Sequence, residues 1–222
     1  MDINKFRRKL EHIEKQEFLF LQPIIDKIGH EKFGGMTSSN ILKVLNLAAQ
    51  SLDPEKVYME LGTYKGLTLM GAMLGNEGKQ FIAIDDFSQY DGSEMELREN
   101  FSAFFPQSLP PGFHFYNLSI ENFLQDYSGK DIGVVFLDAL HTHEATLNYF
   151  HLLHPHLAES AILIFDDAAI AHEILLPSWV GEVWEAIDEL LISCKDLMEL
   201  AYYDSVLQPG WHLGLRILAW QG

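Results

Sequence analysis

Positive charge is what this chain has least of: 15 lysines and arginines stand against 32 acids, a net charge of −17 at pH 7. A surface that binds nucleic acid or an anionic membrane needs clustered Lys and Arg, so neither is expected as a partner. The basic residues are thickest between Lys5 and Lys15, where they read as the solvated side of a first helix. Cysteine is almost missing too. Cys194 is the single one, which rules out a disulfide framework within the chain and suits a reducing cytoplasm. It falls on one apolar helix face with Val180, Val183, Trp184, Ile187 and Leu191, the place of a packed thiol rather than a nucleophile. Long apolar runs are absent as well. Phe18-Leu19-Phe20-Leu21 is far shorter than the ~20 residues of a membrane span. Met1-Asp2-Ile3-Asn4-Lys5 leads into a charged stretch instead of the apolar centre of an export signal.

What is present is an apolar fraction of 48% in 222 residues, the scale of a single domain with a sizeable core. Residues 1–52 read as an N-terminal helical cap. Within it, 3–30 form one or two amphipathic helices interrupted at Pro23, Gly34-Gly35 breaks the chain, and Thr37 or Ser38 caps a helix carrying Ile41, Val44, Leu45 and Ala48. Strands are expected at 57–61, 80–84, 113–116, 132–137 and 161–165. Helices are expected at 67–74, near 120–126, at 142–153 and at 178–193. The stretch 86–112, with Pro106, Pro110 and Pro111, reads as loop. Strands alternating with helices indicate a parallel sheet covered on both faces. The closing β-prone runs 198–206 and 211–220, joined through Pro209-Gly210, can only be antiparallel neighbours.

The most informative stretch is Val57-Tyr58-Met59-Glu60-Leu61-Gly62-Thr63-Tyr64-Lys65-Gly66-Leu67-Thr68. A buried strand ends near an acid, turns through two glycines and opens into a helix, which leaves free backbone N–H groups at the sheet edge. Gly62 permits the turn, and Gly66 lets a ligand or a neighbouring strand come close. A dinucleotide fingerprint would need glycine where Tyr64 and Leu67 stand. A P-loop would need its lysine after the glycine, whereas Lys65 precedes Gly66. Gln80-Phe81-Ile82-Ala83-Ile84 then delivers Asp85, 23 residues beyond Gly62, near the spacing of a carboxylate that takes ribose hydroxyls. Asp86 beside it has no assigned role.

A second constellation lies downstream. The strand run Val134-Val135-Phe136-Leu137 ends in Asp138, and Ala161-Ile162-Leu163-Ile164-Phe165 ends in Asp166-Asp167. One helix lies between, so a right-handed crossover makes the strands neighbours. Three carboxylates at one edge repel one another, and a hard divalent cation such as Mg²⁺ relieves that conflict. His141, three residues past Asp138, has the pKa to accept a proton near neutrality. His143, His151, His154, His156 and His172 read as packing or surface residues.

These segments resemble the class I S-adenosylmethionine-dependent methyltransferases, whose first motif runs acid-x-Gly-x-x-x-Gly-x-Ser/Thr. Within that class they are similar to the catechol O-methyltransferase-like and the small-molecule (sugar and macrolide) O-methyltransferase families. Residues 36–170 carry the likeness best. It implies a Rossmann-like α/β fold: a seven-stranded, mostly parallel sheet with a C-terminal antiparallel hairpin and helices on both faces. Carried over by position, Glu60, Gly62, Thr63, Tyr64, Gly66 and Thr68 line the methionine end of the cofactor, with Asp138 beside it. Asp85 takes the ribose and Ser119 lies by the adenine. Asp138, Asp166 and Asp167 fall on metal-ligand positions, and His141 stands where the catechol enzymes have a basic lysine. Leu157-Ala158-Glu159-Ser160 replaces the family's Pro-Gly-Gly, which implies a loop of another shape. Asp167 replaces an Asn of the catechol enzymes.

The resemblance implies a cytoplasmic, metal-assisted O-methyltransferase that uses S-adenosylmethionine and Mg²⁺ on a small hydroxylated molecule, either alone or as a homodimer. Two alternatives keep the fold: a catalytically silent subunit, and a metal-dependent enzyme of another reaction, as in cephalosporin-hydroxylase-like proteins.

Overall fold

The computed structural model describes the chain apart from residues 34–35, 90–92, 130, 171–178, 206 and 209, and of residues 179–180 it describes the backbone alone. The Gly34-Gly35 break, His172 and Pro209 of the closing joint lie outside the described residues.

The described helices are α1 (Ile3–Leu10), α2 (Gln22–Ile25), α3 (Ser39–Ser51), α4 (Leu67–Met73), α5 (Ser93–Phe104), α6 (Ile120–Asp126), α7 (His143–Leu153) and α8 (Trp179–Ser193). The strands are β1 (Val57–Leu61), β2 (Gln80–Ile84), β3 (Phe113–Tyr116), β4 (Ile132–Leu137), β5 (Leu157–Asp166), β6 (Leu197–Tyr203) and β7 (Leu215–Gln221). They form one sheet in the order β3-β2-β1-β4-β5-β7-β6. The first five strands pair in parallel, and β7 runs antiparallel to both β5 and β6.

Alternation along the strands sorts the core into two layers. Tyr58, Phe81, Val134, Phe136, Ile162 and Ile164 face a cluster that includes Phe6 of α1, Leu45 of α3, Met70 of α4 and Phe101 of α5. Met59, Ile82, Val135, Leu137 and Leu163 face Phe123 of α6, Phe150 of α7 and Ile187 of α8. Because successive strand side chains point to opposite faces, strands that are apolar at every position need helices on both sides. They have them. Cys194 packs half-buried against the second cluster. Arg216 of β7 is buried at 2% exposure; it bonds Asp188 of α8 and Glu199 of β6, and its guanidinium lies 4.0 Å from the centre of the Trp184 ring.

Several boundaries differ from the sequence reading, among them the last strand, which begins at Leu215 rather than 211. Residues 86–112 are not all loop, because α5 occupies Ser93–Phe104 with Leu97, Asn100 and Phe101 buried. The N-terminal break comes after Leu10, and Pro23 sits in the first turn of α2, where a missing N–H costs nothing. Leu157–Ser160 is not a loop but the start of β5, with Leu157 beside Ile132 and Ser160 beside Gln221.

The strands β1, β2, β4 and β5 all end at the same edge. Strand order reverses between β1 and β4, and in such sheets the crevice at that switch is where ligands bind. No described helix is long and apolar enough to cross a membrane.

Candidate active site

The crevice is built first by the corner after β1. Gly62 has φ +85° and its N–H donates to Ile84 O at 2.9 Å. A Cβ there would lie 2.7 Å from the Asp138 carbonyl carbon and closer still to its oxygen, so Gly62 is what lets the tips of β1 and β4 touch. Gly66, with φ +81°, begins α4 and faces the ring of Phe101 at 2.9 Å from a would-be Cβ; the close neighbour it admits is a helix of this chain. Tyr64 between them holds φ +48°, a strained setting for a side-chain-bearing residue of the kind found at ligand clamps.

Asp85 ties this corner to β2. Its Oδ2 accepts from the N–H groups of Thr63 (2.9 Å) and Tyr64 (2.7 Å), and its Oδ1 accepts from Phe87 N–H (2.7 Å). A carboxylate has about four lone-pair sites, so capacity remains for donors from a ligand. On the opposite side Lys65 Nζ pairs with Glu96 of α5 at 2.9 Å and donates to Glu31 O at 3.1 Å, joining the glycine corner to α5 and to the N-terminal segment.

A cavity of about 320 Å³ opens here. Of the residues the sequence assigns to a cofactor, Gly62, Thr63, Tyr64, Gly66, Thr68, Asp85, Ser119 and Asp138 line it. Ser119 also caps α6, its Oγ accepting from Asn122 N–H. Glu60 does not reach the cavity. It is wholly buried beneath the corner, accepting from Thr68 Oγ1 at 2.9 Å and from the Tyr58 hydroxyl at 3.4 Å. Burial, with Asp138 and Asp85 adding repulsion, holds its carboxyl well above the usual range.

The sequence reading missed the apolar part of the wall: Phe33, Met36, Phe87, Leu140 and Tyr149. Met36 and Leu140 are 58% and 46% exposed. Their signal in the sequence was a large apolar residue in loop context, with Met36 just past two glycines and Leu140 between the two acidic-corner residues. Tyr149 carries a pKa pushed up to about 12 by burial and by the nearby negative charges of Glu121 and Asp86.

The second wall is acidic. Asp138 follows β4 and Asp166 ends β5; Asp167 takes φ +52°, which turns its carboxylate toward β4. His141 Nε2 stands 3.3 Å from Asp167 Oδ2 and 3.8 Å from Asp138 Oδ1. Ligand atoms of Asp138, His141 and Asp167 all lie within 4.8 Å of one another. Asp166 is not in that group; its buried Oδ1 has no hydrogen-bond partner. Loss of water and mutual repulsion hold Asp138 and Asp166 well above the usual carboxylate range, and burial lifts Asp167 to about 7. Burial also lowers His141 to about 4, so its imidazole is neutral at pH 7 but a weaker base than the near-neutral pKa of the sequence reading implies. Crowded carboxylates, an orphaned oxygen and an imidazole together fit a divalent cation, which would supply the missing positive charge. Of the other histidines, His143 pairs with Glu189 of α8 at 3.2 Å and His156 Nδ1 lies 2.9 Å from Gly129 O.

Residues 59–168, which hold the glycine corner, Asp85 and the acidic wall, match the family model described as a methyltransferase domain. The chain thus carries a methyltransferase domain. None of the curated proteins compared with the sequence matches this methyltransferase. Its fold is that of several solved structures. A putative caffeoyl-CoA O-methyltransferase from Staphylococcus aureus superposes with TM-score 0.68 at 13% identity, all of both chains covered. A methyltransferase from Podospora anserina in its SAH-bound form gives 0.67 at 14% identity, covering 100% of this chain and 97% of that one. An O-methyltransferase from Streptomyces achromogenes involved in tomaymycin synthesis, in complex with SAM, gives 0.66 at 13% identity over the whole of both. At such identities the likeness is one of fold.

Proposed function

We propose that this methyltransferase moves the methyl group of S-adenosylmethionine to a hydroxyl oxygen of a small molecule, with help from a divalent cation such as Mg²⁺. The observation that carries the reading is the facing of two walls across one cavity: a glycine corner with spare acceptor capacity on Asp85, and a neutral imidazole, His141, set against two carboxylates. Solved proteins of this fold that hold SAM or SAH support the cofactor, and the O-methyltransferases among them support oxygen as the acceptor.

Transfer is an in-line displacement in which the O–CH₃ bond forms as the S–CH₃ bond breaks, leaving sulfur neutral. The protein's main task is to hold the two atoms at near-attack distance. Asp85 would fix the ribose, and Tyr64 with the Gly62–Gly66 backbone would fix the methionine end. The hydroxyl proton would pass to His141 Nε2. A divalent cation at Asp138 and Asp167, with Asp166 behind them, would lower the pKa of a hydroxyl bound there. The closeness of His141 to both carboxylates supports a second reading, in which the imidazole is itself a ligand of that cation and the hydroxyl is deprotonated by solvent. Residues 1–222 act as one unit in this scheme, with 1–52 as the cap over the cavity. The acceptor is a small molecule met in the cytoplasm, by a monomer or a homodimer.

Calorimetry with S-adenosylmethionine, in Mg²⁺ and in excess EDTA, tests the core of this. Binding in the micromolar range or tighter is expected under both conditions, with methyl transfer lost in EDTA. No measurable heat with the cofactor would dismiss the assignment. Full turnover in EDTA would make the acidic wall structural.

A further inference from the structure

Helix α5 carries Glu96, Asn100 and Phe104 four residues apart in turn, so the three side chains stand on one face of it. That face meets the glycine corner and the N-terminal segment together. Glu96 pairs with Lys65 Nζ at 2.9 Å, and the same Nζ donates to Glu31 O at 3.1 Å. The side-chain amide of Asn100 donates to Lys65 O at 3.1 Å and to Lys32 O at 3.4 Å. The ring of Phe33 stands edge-on to that of Phe104, with centres 5.8 Å apart. Residues 31, 32 and 33 are thus each held by Lys65 or by this face of α5. The last of them lines the cavity, and so do Met36, Thr37 and Lys65 itself.

The hold is polar and rests on few bonds. Asn100 is fully buried, yet its Oδ1 has no partner among the described residues. Water admitted by an opening there would meet that oxygen and offset part of what the opening breaks. Just before the held residues, Gly29 has φ +73° and open space where a Cβ would lie, so the chain can turn at that point without a clash. Just after them, Ser38 caps α3, whose buried face fixes the far end.

From this arrangement, and resting on the S-adenosylmethionine reading above, we infer that Lys65, Glu96 and Asn100 form a clasp that holds residues 31–33 as a wall of the cofactor cavity, and that the clasp opens for the cofactor to enter or leave. All three are positioning residues. Lys65 joins the two parts: its carbonyl belongs to the glycine corner while its ammonium grips the N-terminal segment, so releasing the segment also loosens the corner. A wall that opens governs entry and exit alike. A side chain that only touches the cofactor governs exit.

Surface plasmon resonance with S-adenosylmethionine passed over the immobilised chain reads both rates. Glu96 is not among the residues lining the cavity, so its effect on those rates comes through the clasp. Glu96→Gln should raise association and dissociation together by about three- to tenfold, the scale of one hydrogen-bonded tie, with Kd nearly unchanged. The converse variant uses Lys32 and Glu99, half-exposed side chains that meet at 3.2 Å. With both changed to cysteine, and Cys194→Ser to remove the other thiol, a short bis-maleimide link should slow both rates by about tenfold or more against the same protein before linking. Rates unmoved by the link, or a Glu96→Gln effect confined to dissociation, overturn the inference while leaving the cofactor reading intact. If the wild-type chain does not bind S-adenosylmethionine at all, the cofactor reading fails and the clasp falls with it.

Discussion

Replacing Gly62 with alanine tests the contact on which both walls of the site depend. Two costs can be read from the structure. The backbone at φ +85° lies in the left-handed region, which costs a residue with a Cβ about 1–2 kcal/mol. The new methyl would also be driven into the Asp138 carbonyl and to 3.0 Å from Ala139 Cα, an overpacking worth about 1–3 kcal/mol. Relaxation is restrained because Gly62 N–H is held by Ile84 O and Asp138 N–H by Leu61 O, both at 2.9 Å. The expected loss is therefore about 2–5 kcal/mol. Two other glycines separate the terms. Gly29 has φ +73° but open space around it, and Gly78 has open space and no positive φ. Urea denaturation followed by circular dichroism should rank Gly78→Ala near wild type, Gly29→Ala lower by the strain alone, and Gly62→Ala lowest. Because the displaced carbonyl belongs to Asp138, Gly62→Ala should also weaken cofactor and cation binding in calorimetry, which Gly29→Ala should leave alone. If Gly62→Ala is no less stable than Gly29→Ala, the close approach of β1 and β4 is refuted.

Asp85→Ala removes the acceptor of three backbone N–H groups as well as the proposed ribose ligand, and each charge-assisted bond is worth about 1.5–3 kcal/mol; S-adenosylmethionine affinity should fall at least about tenfold along with the melting temperature. Unchanged affinity would move the ribose site to Asp86. His141→Gln should keep fold and cofactor binding while lowering kcat by about 10²–10⁴ and flattening the loss of rate in acid, a loss that burial of His141 places below the ordinary histidine range; a near-normal kcat with the wild-type pH profile would remove it as the base. Asp167 reaches about 7 when folded against about 3.9 unfolded, so the folded state binds the extra proton and stability declines as pH rises from about 4 to about 7. In EDTA, Asp167→Asn should therefore gain on wild type in thermal melts as pH goes from 5 to 8, and added Mg²⁺ should stabilise wild type more at pH 8; a constant difference between the two proteins would contradict the buried-carboxylate argument.

The parallel strands were the most legible part of the sequence, since Val57–Leu61 (apolar but for Glu60), Phe81–Ile84 and Ile132–Leu137 are short apolar runs that end at charge or glycine. The glycine corner was legible because Gly62 and Gly66, four apart between an apolar strand and a helical run, permit the positive φ that a tight corner needs. Helix α5 was not. It buries only a thin stripe around Leu97, Asn100 and Phe101, and the prolines that follow dominate a local reading of the segment. The start of β5 was hidden because Ser160 gains its partner, Gln221, from β7, some sixty residues away in sequence. Glu60 looked like a ligand of the cofactor because motif position shows that an acid is present, not which way its side chain points. The apolar mouth was out of reach because Phe33, Met36 and Leu140 converge only once the N-terminal segment folds over the crevice.

Strand β7 lies between β5 and β6 although it follows both along the chain. While the protein is being made, β6 therefore has no neighbour until residues 215–221 have cleared the ribosome, and until then both β5 and β6 present open edges. Open edges pair with strands of other chains, so synthesis passes through an interval in which nascent copies can stick to one another. The same seven residues also bring Arg216, so Asp188 and Glu199 wait for their shared cation over that interval. Slow translation or premature termination just before Leu215 would lengthen the exposure, and chaperones that shield strand edges would act on this methyltransferase at that moment.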